Sequence, residues 1–176
     1  MFISSGIREG TIEYLKVDDY TNIRFEEEKI VAGRLVVYRG EPEQYVTFIT
    51  PEACHALDKY LDFRRQHGEK VSRSSPLFGE KFDPIKSSYS HGNDDYKQVI
   101  VPMSSHAVRQ CYNRLLFCIG MRKERKRRHD FSVHGFRKFF KTKAEIGGMK
   151  PINVETLMGH STGISDSYYR PTEKEL

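Results

Sequence analysis

Two arginines, two histidines and a pair of tyrosines are the residues of this chain whose types and spacing suit chemistry on phosphorus. His134 and Arg137 are three positions apart, so on a helix their side chains project from the same face. A guanidinium binds two phosphate oxygens as a planar fork, and an imidazole donates to one of them. The pair therefore suits a phosphodiester, although an isolated His-x-x-Arg is also typical of an ordinary basic helix.

A second cluster lies near the end of the chain. Gly159 predicts a turn that leaves His160 pointing into a cleft, and Tyr168 and Tyr169 follow. A tyrosine attacks phosphorus only when its proton is lost or shared, because its ordinary pKa is about 10. Cationic neighbours and a bound phosphate favour that loss. The alternatives are ordinary packing for the two tyrosines and a capping or core role for His160. Arg8, in Gly-Ile-Arg near the start of the chain, could face a cleft or be a surface charge.

Positive charge is concentrated in one segment. Residues 122–143 hold ten Lys or Arg against Glu124 and Asp130, so this segment carries +8 while the whole chain carries +5. Such a concentration is typical of a surface that binds a polyanion. A solvated loop of like charges is the alternative.

A small sheet and several helices must position these residues. The pattern predicts an interrupted helix over 3–16 and then three antiparallel strands, with turns at Gly33 and at 40–42. The predicted strands are Asn22–Ile30, Leu35–Tyr38 and Tyr45–Ile49. The fold class is therefore α+β, mainly α, with a three-stranded antiparallel sheet packed on helices.

The remaining predicted elements are helical. Thr50 caps a helix that begins at Pro51 and ends by Gly68, and residues 69–98 form a long surface loop. Further helices begin at Ser104 or Ser105 and at Ser132, the latter ending near Ile146, and two short ones cover 152–157 and 165–169. The apolar stripe expected on the first of these is Val108, Cys111, Tyr112, Leu115, Leu116 and Ile119.

Composition limits the class of protein. Hydrophobic residues make up 38% and charged residues 30% of the 176 residues, which indicates one globular domain. Three cysteines without C-x-x-C spacing argue against a disulfide framework or a cysteine zinc site, and favour a reducing cytoplasm. No apolar run approaches the ~18 residues of a membrane span.

In their order along the chain, the motifs resemble those of the tyrosine recombinase (phage-type integrase) family. That family has Thr-Gly-Leu-Arg, His-x-x-Arg, Leu-Gly-His-Ser and a tyrosine nine residues after the last histidine. The matching residues are Ser5-Gly6-Ile7-Arg8, His134-Gly135-Phe136-Arg137, Met158-Gly159-His160-Ser161 and Tyr169. A helix that begins with Pro51-Glu52-Ala53 after the sheet is similar too. The amino-acid sequences of the motifs look most like those of archaeal integrases.

The resemblance implies a site-specific DNA recombinase that cuts and rejoins strands through a 3′-phosphotyrosyl intermediate, without ATP or metal. Arg8, His134, Arg137 and His160 would clamp the scissile phosphate, and Tyr169 would attack it, with Tyr168 as the alternative nucleophile. Contacts to double-stranded DNA are expected from Arg122, Lys123, Arg125, Lys126, Arg127, Arg128, Lys138 and Lys141.

The resemblance also implies an organisation. Residues 1–176 would be one catalytic domain, with the N-terminal DNA-binding domain absent and the C-terminal tail truncated. We expect a monomer alone, a homotetramer on DNA at full length, a DNA-associated cytoplasmic location and no membrane.

Two departures from the family pattern keep other functions open. Thr11 stands where relatives carry an acidic residue, and the predicted turn over 38–44 has no lysine to protonate the leaving 5′ oxygen. Arg39 supplies charge there but is a poor proton donor, so either another group such as Lys29 or Lys86 reaches in, or the chemistry proceeds with a weaker acid. An integrase-derived DNA-binding protein without full catalysis and a type IB topoisomerase-like nicking activity are the alternatives, and a metal-dependent nuclease is the least favoured.

Overall fold

The computed structural model describes residues 1–26, 29–80, 100–123, 131–161, 163, 171–173 and 175–176. Its α-helices are α1 (Phe2–Ser5), α2 (Pro51–Gln66), α3 (Ser105–Cys118), α4 (Val133–Ile146) and α5 (Pro151–Leu157). Its strands are β1 (Tyr20–Phe25), β2 (Lys29–Val37), β3 (Tyr45–Ile49), β4 (Gly79–Glu80) and β5 (Val101–Pro102). Two short 3-10 helices cover Glu9–Glu13 and Val17–Asp19.

The three-stranded antiparallel sheet is confirmed, with β2 in the centre between β1 and β3. The predicted turn at Gly33 is wrong, because Gly33 lies inside β2, opposite Ile49 of β3. A Cβ added at Gly33 would lie 2.6 Å from the Sγ atom of Cys54 in α2. The glycine therefore marks the place where helix and sheet pack most closely, and the first turn falls earlier in the chain.

Helix α2 covers the sheet and forms the main core. It begins as predicted, with Thr50 at the N-cap and Pro51 in the first turn. Leu57 and Leu61 turn toward the sheet and meet Leu35, which is completely buried. Complete burial of a leucine side chain stabilises the fold by about 1.5–3 kcal/mol relative to exposure, so this contact fixes the helix on the sheet.

A smaller second core joins the N-terminal segment to α3 and α4. Ile12, Val108 and Val133 are its buried residues. Ser104 caps α3 by accepting a hydrogen bond from the backbone N–H of Ala107 at 3.2 Å. The predicted stripe of α3 is only partly right: Val108 and Leu116 are buried and Tyr112 is half-buried, whereas Cys111, Leu115 and Ile119 are exposed. The second core is too small to cover the whole stripe.

The N-terminal segment is interrupted at Gly6, as predicted, and is a short α-helix followed by a 3-10 helix. Gly6 has φ +61°, and a Cβ there would lie 2.5 Å from the Phe140 ring of α4. Ile7, Ile12 and Leu15 of this segment are buried. Close contact with Phe140 brings the beginning of the chain against α4.

Helices α4 and α5 confirm the predictions for 132–146 and 152–157, with Ser132 as the N-cap residue of α4. The predicted helix over 165–169 and most of the predicted loop over 69–98 lie outside the described residues. Within the described part of the chain, no helix is both long and apolar enough to cross a lipid bilayer.

Candidate functional site

Arg137 is the centre of the site, and its guanidinium joins both ends of the chain. The side chain is buried, with 6% of the residue exposed. One terminal nitrogen donates to the carbonyl of Gly6, and the other donates to the carbonyl of Met158 at 3.2 Å. Burial is the main cause of a lowered pKa for Arg137, and neighbouring Arg8 lowers it further. The loop after α1 and the turn after α5 are therefore both tied to α4.

Arg8 reaches the same place from the N-terminal segment. Ile7 is 1% exposed and anchors the backbone, after which Arg8 turns outward in an extended conformation. One terminal nitrogen of Arg8 donates to the carbonyl of Gly159 at 3.1 Å. Among the described residues, no carboxylate forms an ion pair with Arg8 or Arg137. Two cations without anionic partners at one place are suited to an external anion.

His160 lies in the turn that follows α5. Gly159 has φ +65°, and a Cβ there would lie 2.3 Å from the Cε1 atom of Tyr45. The Nε2 atom of His160 lies 2.6 Å from a terminal nitrogen of Arg137. Its Nδ1 atom contacts the carboxylate of Glu155. Because only glycine fits between the ring of Tyr45 and the turn, the packing fixes the direction in which His160 leaves the backbone.

His134 completes one cavity with these three residues. It lies on the first turn of α4 and is exposed, three positions before Arg137. A cavity of about 300 Å³ is lined by Ile7, Arg8, Glu9, Val133, His134, Arg137 and His160. The carboxylate of Glu9, the one acidic residue in this lining, lies 3.5 Å from Arg109, which is not one of the four cationic and imidazole side chains. The cavity is suited to one phosphate group surrounded by hydrogen-bond donors.

Tyr45 packs against the turn that carries His160, because its ring is next to Gly159. Its hydroxyl is buried and has no hydrogen-bond partner among the described residues. Burial raises the pKa of Tyr45, and the positive charge of Arg137 partly opposes that effect. Thr11, at the position where the family has an acidic residue, is completely buried and lies 3.4 Å from the hydroxyl of Tyr38. An uncharged buried side chain therefore occupies that position in this chain.

Arg39 does not join the cavity. Its Nε atom donates to Asp19 at 2.5 Å, and a terminal nitrogen donates to the carbonyl of Asp18 at 2.7 Å. It lines a different cavity of about 360 Å³, with Lys16, Tyr38 and other residues. The charge that the sequence places in the turn between β2 and β3 is thus directed to the 3-10 helix before β1.

The residues expected to contact DNA have different surroundings. Arg122 is buried and donates to Asn113 and, at 2.8 Å, to the carbonyl of Phe131, so it joins α3 to the start of α4. Lys123 and Lys138 are exposed. Lys141 contacts Glu155. Six predicted site residues lie outside the described ones: Arg125, Lys126, Arg127, Arg128, Tyr168 and Tyr169.

Glu155 is a site residue that the sequence reasoning missed. It contacts His160 through one carboxylate oxygen and Lys141 through the other. Glu155 lies five positions before His160, and residues at that spacing do not share one face of a helix. The two side chains meet because α5 ends at Leu157 and the chain then turns. An acidic residue in the last turn before Gly-His was the signal available in the sequence.

The described part of the chain holds no group of three or more His, Cys, Asp or Glu side chains arranged to bind a metal ion.

The fold is that of tyrosine recombinase catalytic domains. The chain is similar to XerA recombinase, with a TM-score of 0.61 and 16% identity over 99% of this chain and 50% of that one. It is similar to XerH recombinase in a pre-cleavage complex with its difH substrate, with a TM-score of 0.60 and 15% identity over 95% and 39% of the two chains. It is also similar to the Tn1549 transposon integrase in complex with transposon right end DNA, with a TM-score of 0.55 and 17% identity over 99% and 54%.

This chain thus spans about half the length of these solved structures, or less. No protein-family model matches it, and no curated protein matches it significantly by sequence.

Proposed function

We propose that this chain is the catalytic domain of a site-specific DNA recombinase or integrase, which cleaves and rejoins strands through a 3′-phosphotyrosyl intermediate. The observation that carries the proposal is that Arg8, His134, Arg137 and His160, which are scattered along the sequence, line one cavity of about 300 Å³. Three motifs recognised only by their order and spacing would not be expected to meet there by chance. Similarity of fold to solved recombinases supports the same conclusion.

In the proposed reaction the two arginines and two histidines bind the non-bridging oxygens of the scissile phosphate. The phenol oxygen of Tyr169 forms a bond to phosphorus as its proton is lost, and the bond from phosphorus to the 5′ oxygen breaks. The 5′ oxygen takes up a proton and leaves as a hydroxyl. A 5′ hydroxyl of another strand then reverses the step, so the energy of the phosphodiester is retained. Loss of one preorganised donor in such a site costs about 100–1,000-fold in rate.

The test is a duplex with a nick beside the scissile phosphate, which traps the covalent adduct because the short 5′ fragment diffuses away. We expect Tyr169→Phe to abolish the adduct, since its phenol would be the nucleophile, and Tyr168→Phe to retain it. Denaturing gels quantify the adduct, and mass spectrometry locates the modified residue. The opposite pattern would assign the attack to Tyr168, and an adduct that persists when both tyrosines are changed to Phe would refute a tyrosine nucleophile in this segment.

A DNA-binding protein that does not cleave is the second candidate, because the turn between β2 and β3 contains no lysine. Arg39 of that turn is paired with Asp19 and lines another cavity. General acid–base assistance contributes about 100–10,000-fold to such reactions, so its loss would leave binding without cleavage. Tight DNA binding together with failure of the wild type to form the adduct would favour this candidate.

The expected partner is double-stranded DNA, contacted by exposed residues such as Lys123 and Lys138 and by the basic run over 125–128. The residues 1–176 would act as one catalytic domain, monomeric alone and tetrameric on DNA at full length. The XerH and Tn1549 structures are DNA complexes, which supports DNA as the partner. The amino-acid sequences of the motifs suggest that the protein comes from an archaeal mobile element.

A further inference from the structure

Glu155 lies between a lysine and the histidine of the cavity. Its side chain is 22% exposed, less than those of Lys141 at 44% and His160 at 38%. One carboxylate oxygen contacts the ammonium of Lys141, and the other contacts the Nδ1 atom of His160. The backbone reinforces the arrangement, because the N–H of His160 donates to the carbonyl of Glu155 at 3.0 Å. The imidazole is therefore held to α5 through both its backbone and its ring.

These contacts determine where the ring carries its proton. Arg137 has donors only, so the Nε2 atom of His160, 2.6 Å from its guanidinium, must be the acceptor. The Nδ1 atom therefore carries the proton and donates it to Glu155. Nε2 therefore faces Arg137 and the cavity, whereas Nδ1 faces Glu155.

Lys141 stabilises the ionised form of Glu155. Its ammonium is the main cause of a lowered pKa for Glu155, and the contact with His160 lowers it further. Lys141 also lies 3.9 Å from Glu145 on its own helix. Among the described residues, the titratable groups around His160 and its carboxylate are Arg8 and Glu9 from the N-terminal segment, Tyr45 from β3, His134, Arg137 and Lys141 from α4, and Glu155 from α5.

We propose that Glu155, held by Lys141, is a positioning residue whose charged carboxylate directs the Nε2 atom of His160 toward the phosphate cavity. The proposal rests on the proposed function for its effect on strand cleavage. The orientation of the ring does not depend on that function.

A double-mutant cycle tests the effect on cleavage. The rate of adduct formation on the nicked duplex is measured for Glu155→Ala alone, His160→Ala alone and the two together. We expect Glu155→Ala to slow adduct formation by the wild type by about 10–100-fold, the range known for residues that orient a metal-binding histidine. In the His160→Ala background, the same substitution should slow adduct formation by less than twofold. Equal slowing in both backgrounds would overturn the proposal, because it would show that Glu155 acts independently of His160.

Glu145→Ala is the matched control, since Glu145 shares Lys141 with Glu155, and among the described residues it forms no ion pair with His160. We expect it to retain the wild-type rate within twofold. Glu155→Gln is isosteric and guards against misfolding. It keeps an acceptor for Nδ1 but loses the charge, so its rate should lie between those of wild type and Glu155→Ala, and a rate equal to that of wild type would refute the role of charge.

Proton NMR of the DNA-free protein gives a readout that is independent of cleavage. A carboxylate acceptor shifts an imidazole N–H proton downfield and slows its exchange, so the wild type should show such a signal on the Nδ1 atom of His160, assigned by its loss in His160→Ala. The signal should persist in Glu145→Ala and disappear in Glu155→Ala. Its absence from the wild type, or its survival in Glu155→Ala, would overturn the positioning role. If the signal behaves as expected while the wild type forms no adduct, the proposed function fails and the positioning of His160 stands.

Discussion

Two arginines of the same cavity have different structural tasks. Arg137 is buried and binds the carbonyls of Gly6 and Met158, whereas Arg8 is exposed and binds the carbonyl of Gly159 alone. Arg137 holds two distant segments of the chain together, and both arginines supply positive charge to the cavity. Their contributions to stability and to function should therefore separate on mutation.

We expect Arg137→Ala to lower the free energy of unfolding by about 2 kcal/mol, because buried carbonyl groups lose their donor. Arg8→Ala, a change at an exposed position, should alter it by less than about 0.5 kcal/mol. Each substitution should slow adduct formation by about 100–1,000-fold. Urea denaturation measures the first effect and the nicked duplex the second. Equal losses of stability for the two variants would contradict the assigned difference.

The resemblance of the motifs to those of the tyrosine recombinase family predicted a shared site for these cationic side chains, whereas spacing alone linked only His134 to Arg137. It did not predict Glu155, whose contact with His160 depends on where α5 ends and how the chain turns afterwards. Nor did it predict the direction of Arg39, which is decided by Asp19, a residue distant in sequence. Partners fixed by tertiary structure leave no periodic trace in a single sequence.

At the scale of elements, the turn after α5 controls the position of His160. Gly159 combines a positive φ with contact to Tyr45, which begins β3. The turn and the edge of the sheet are therefore packed together without space for a methyl group. This contact connects the sheet to the cavity.

Gly159→Ala should be more destabilising than the same change at Gly120, which has φ +73° and nothing within 4 Å of an added Cβ. Gly120→Ala carries only the left-handed strain of about 1–2 kcal/mol, whereas Gly159→Ala adds a clash of about 1–3 kcal/mol with the ring of Tyr45. We also expect only Gly159→Ala to slow adduct formation. Thermal or urea unfolding of the two variants measures the difference, and equal destabilisation would show that Tyr45 moves aside freely.

The order of elements followed from periodicity, capping residues and turn residues, and most helix bounds agreed within one or two positions. The error at Gly33 arose because a glycine in a turn and a glycine beneath a packed helix look alike in the sequence. Only the approach of Cys54 in the folded chain distinguishes the two. The residues Cys111, Leu115 and Ile119 of α3 are exposed although they belong to its apolar stripe. The sequence shows that such a stripe exists but does not show how much of it a neighbouring element covers.

At the scale of the whole molecule, charge is distributed unevenly along the chain. Residues 122–143 hold ten of the 29 Lys and Arg residues and a net charge of +8, and this segment includes both the start of α4 and the arginine at the centre of the site. The proposed phosphate site and the proposed DNA-binding residues therefore share one segment of the chain. DNA binding should be dominated by contacts with phosphates.

We expect binding of duplex DNA to weaken steeply with salt, because each phosphate contact releases counterions. Lys138→Ala should reduce the slope of log affinity against log salt concentration by about 0.9, the value for one lost contact with B-DNA. Lys70→Ala, at an exposed position outside the basic segment, should keep the wild-type slope. Fluorescence anisotropy over a range of salt concentrations measures both. A slope that Lys138→Ala leaves unchanged would remove this residue from the DNA surface.

The carbonyl groups held by Arg137 come from residues 6 and 158, so the cavity exists only when the chain is folded. Any small oxyanion that occupies it binds the native state and not the unfolded one. Occupancy and folding are then thermodynamically linked, and each tenfold rise in anion concentration above its dissociation constant adds about 1.4 kcal/mol to the stability of the protein. We therefore expect inorganic phosphate or sulfate to stabilise a domain whose cavity is lined by two arginines.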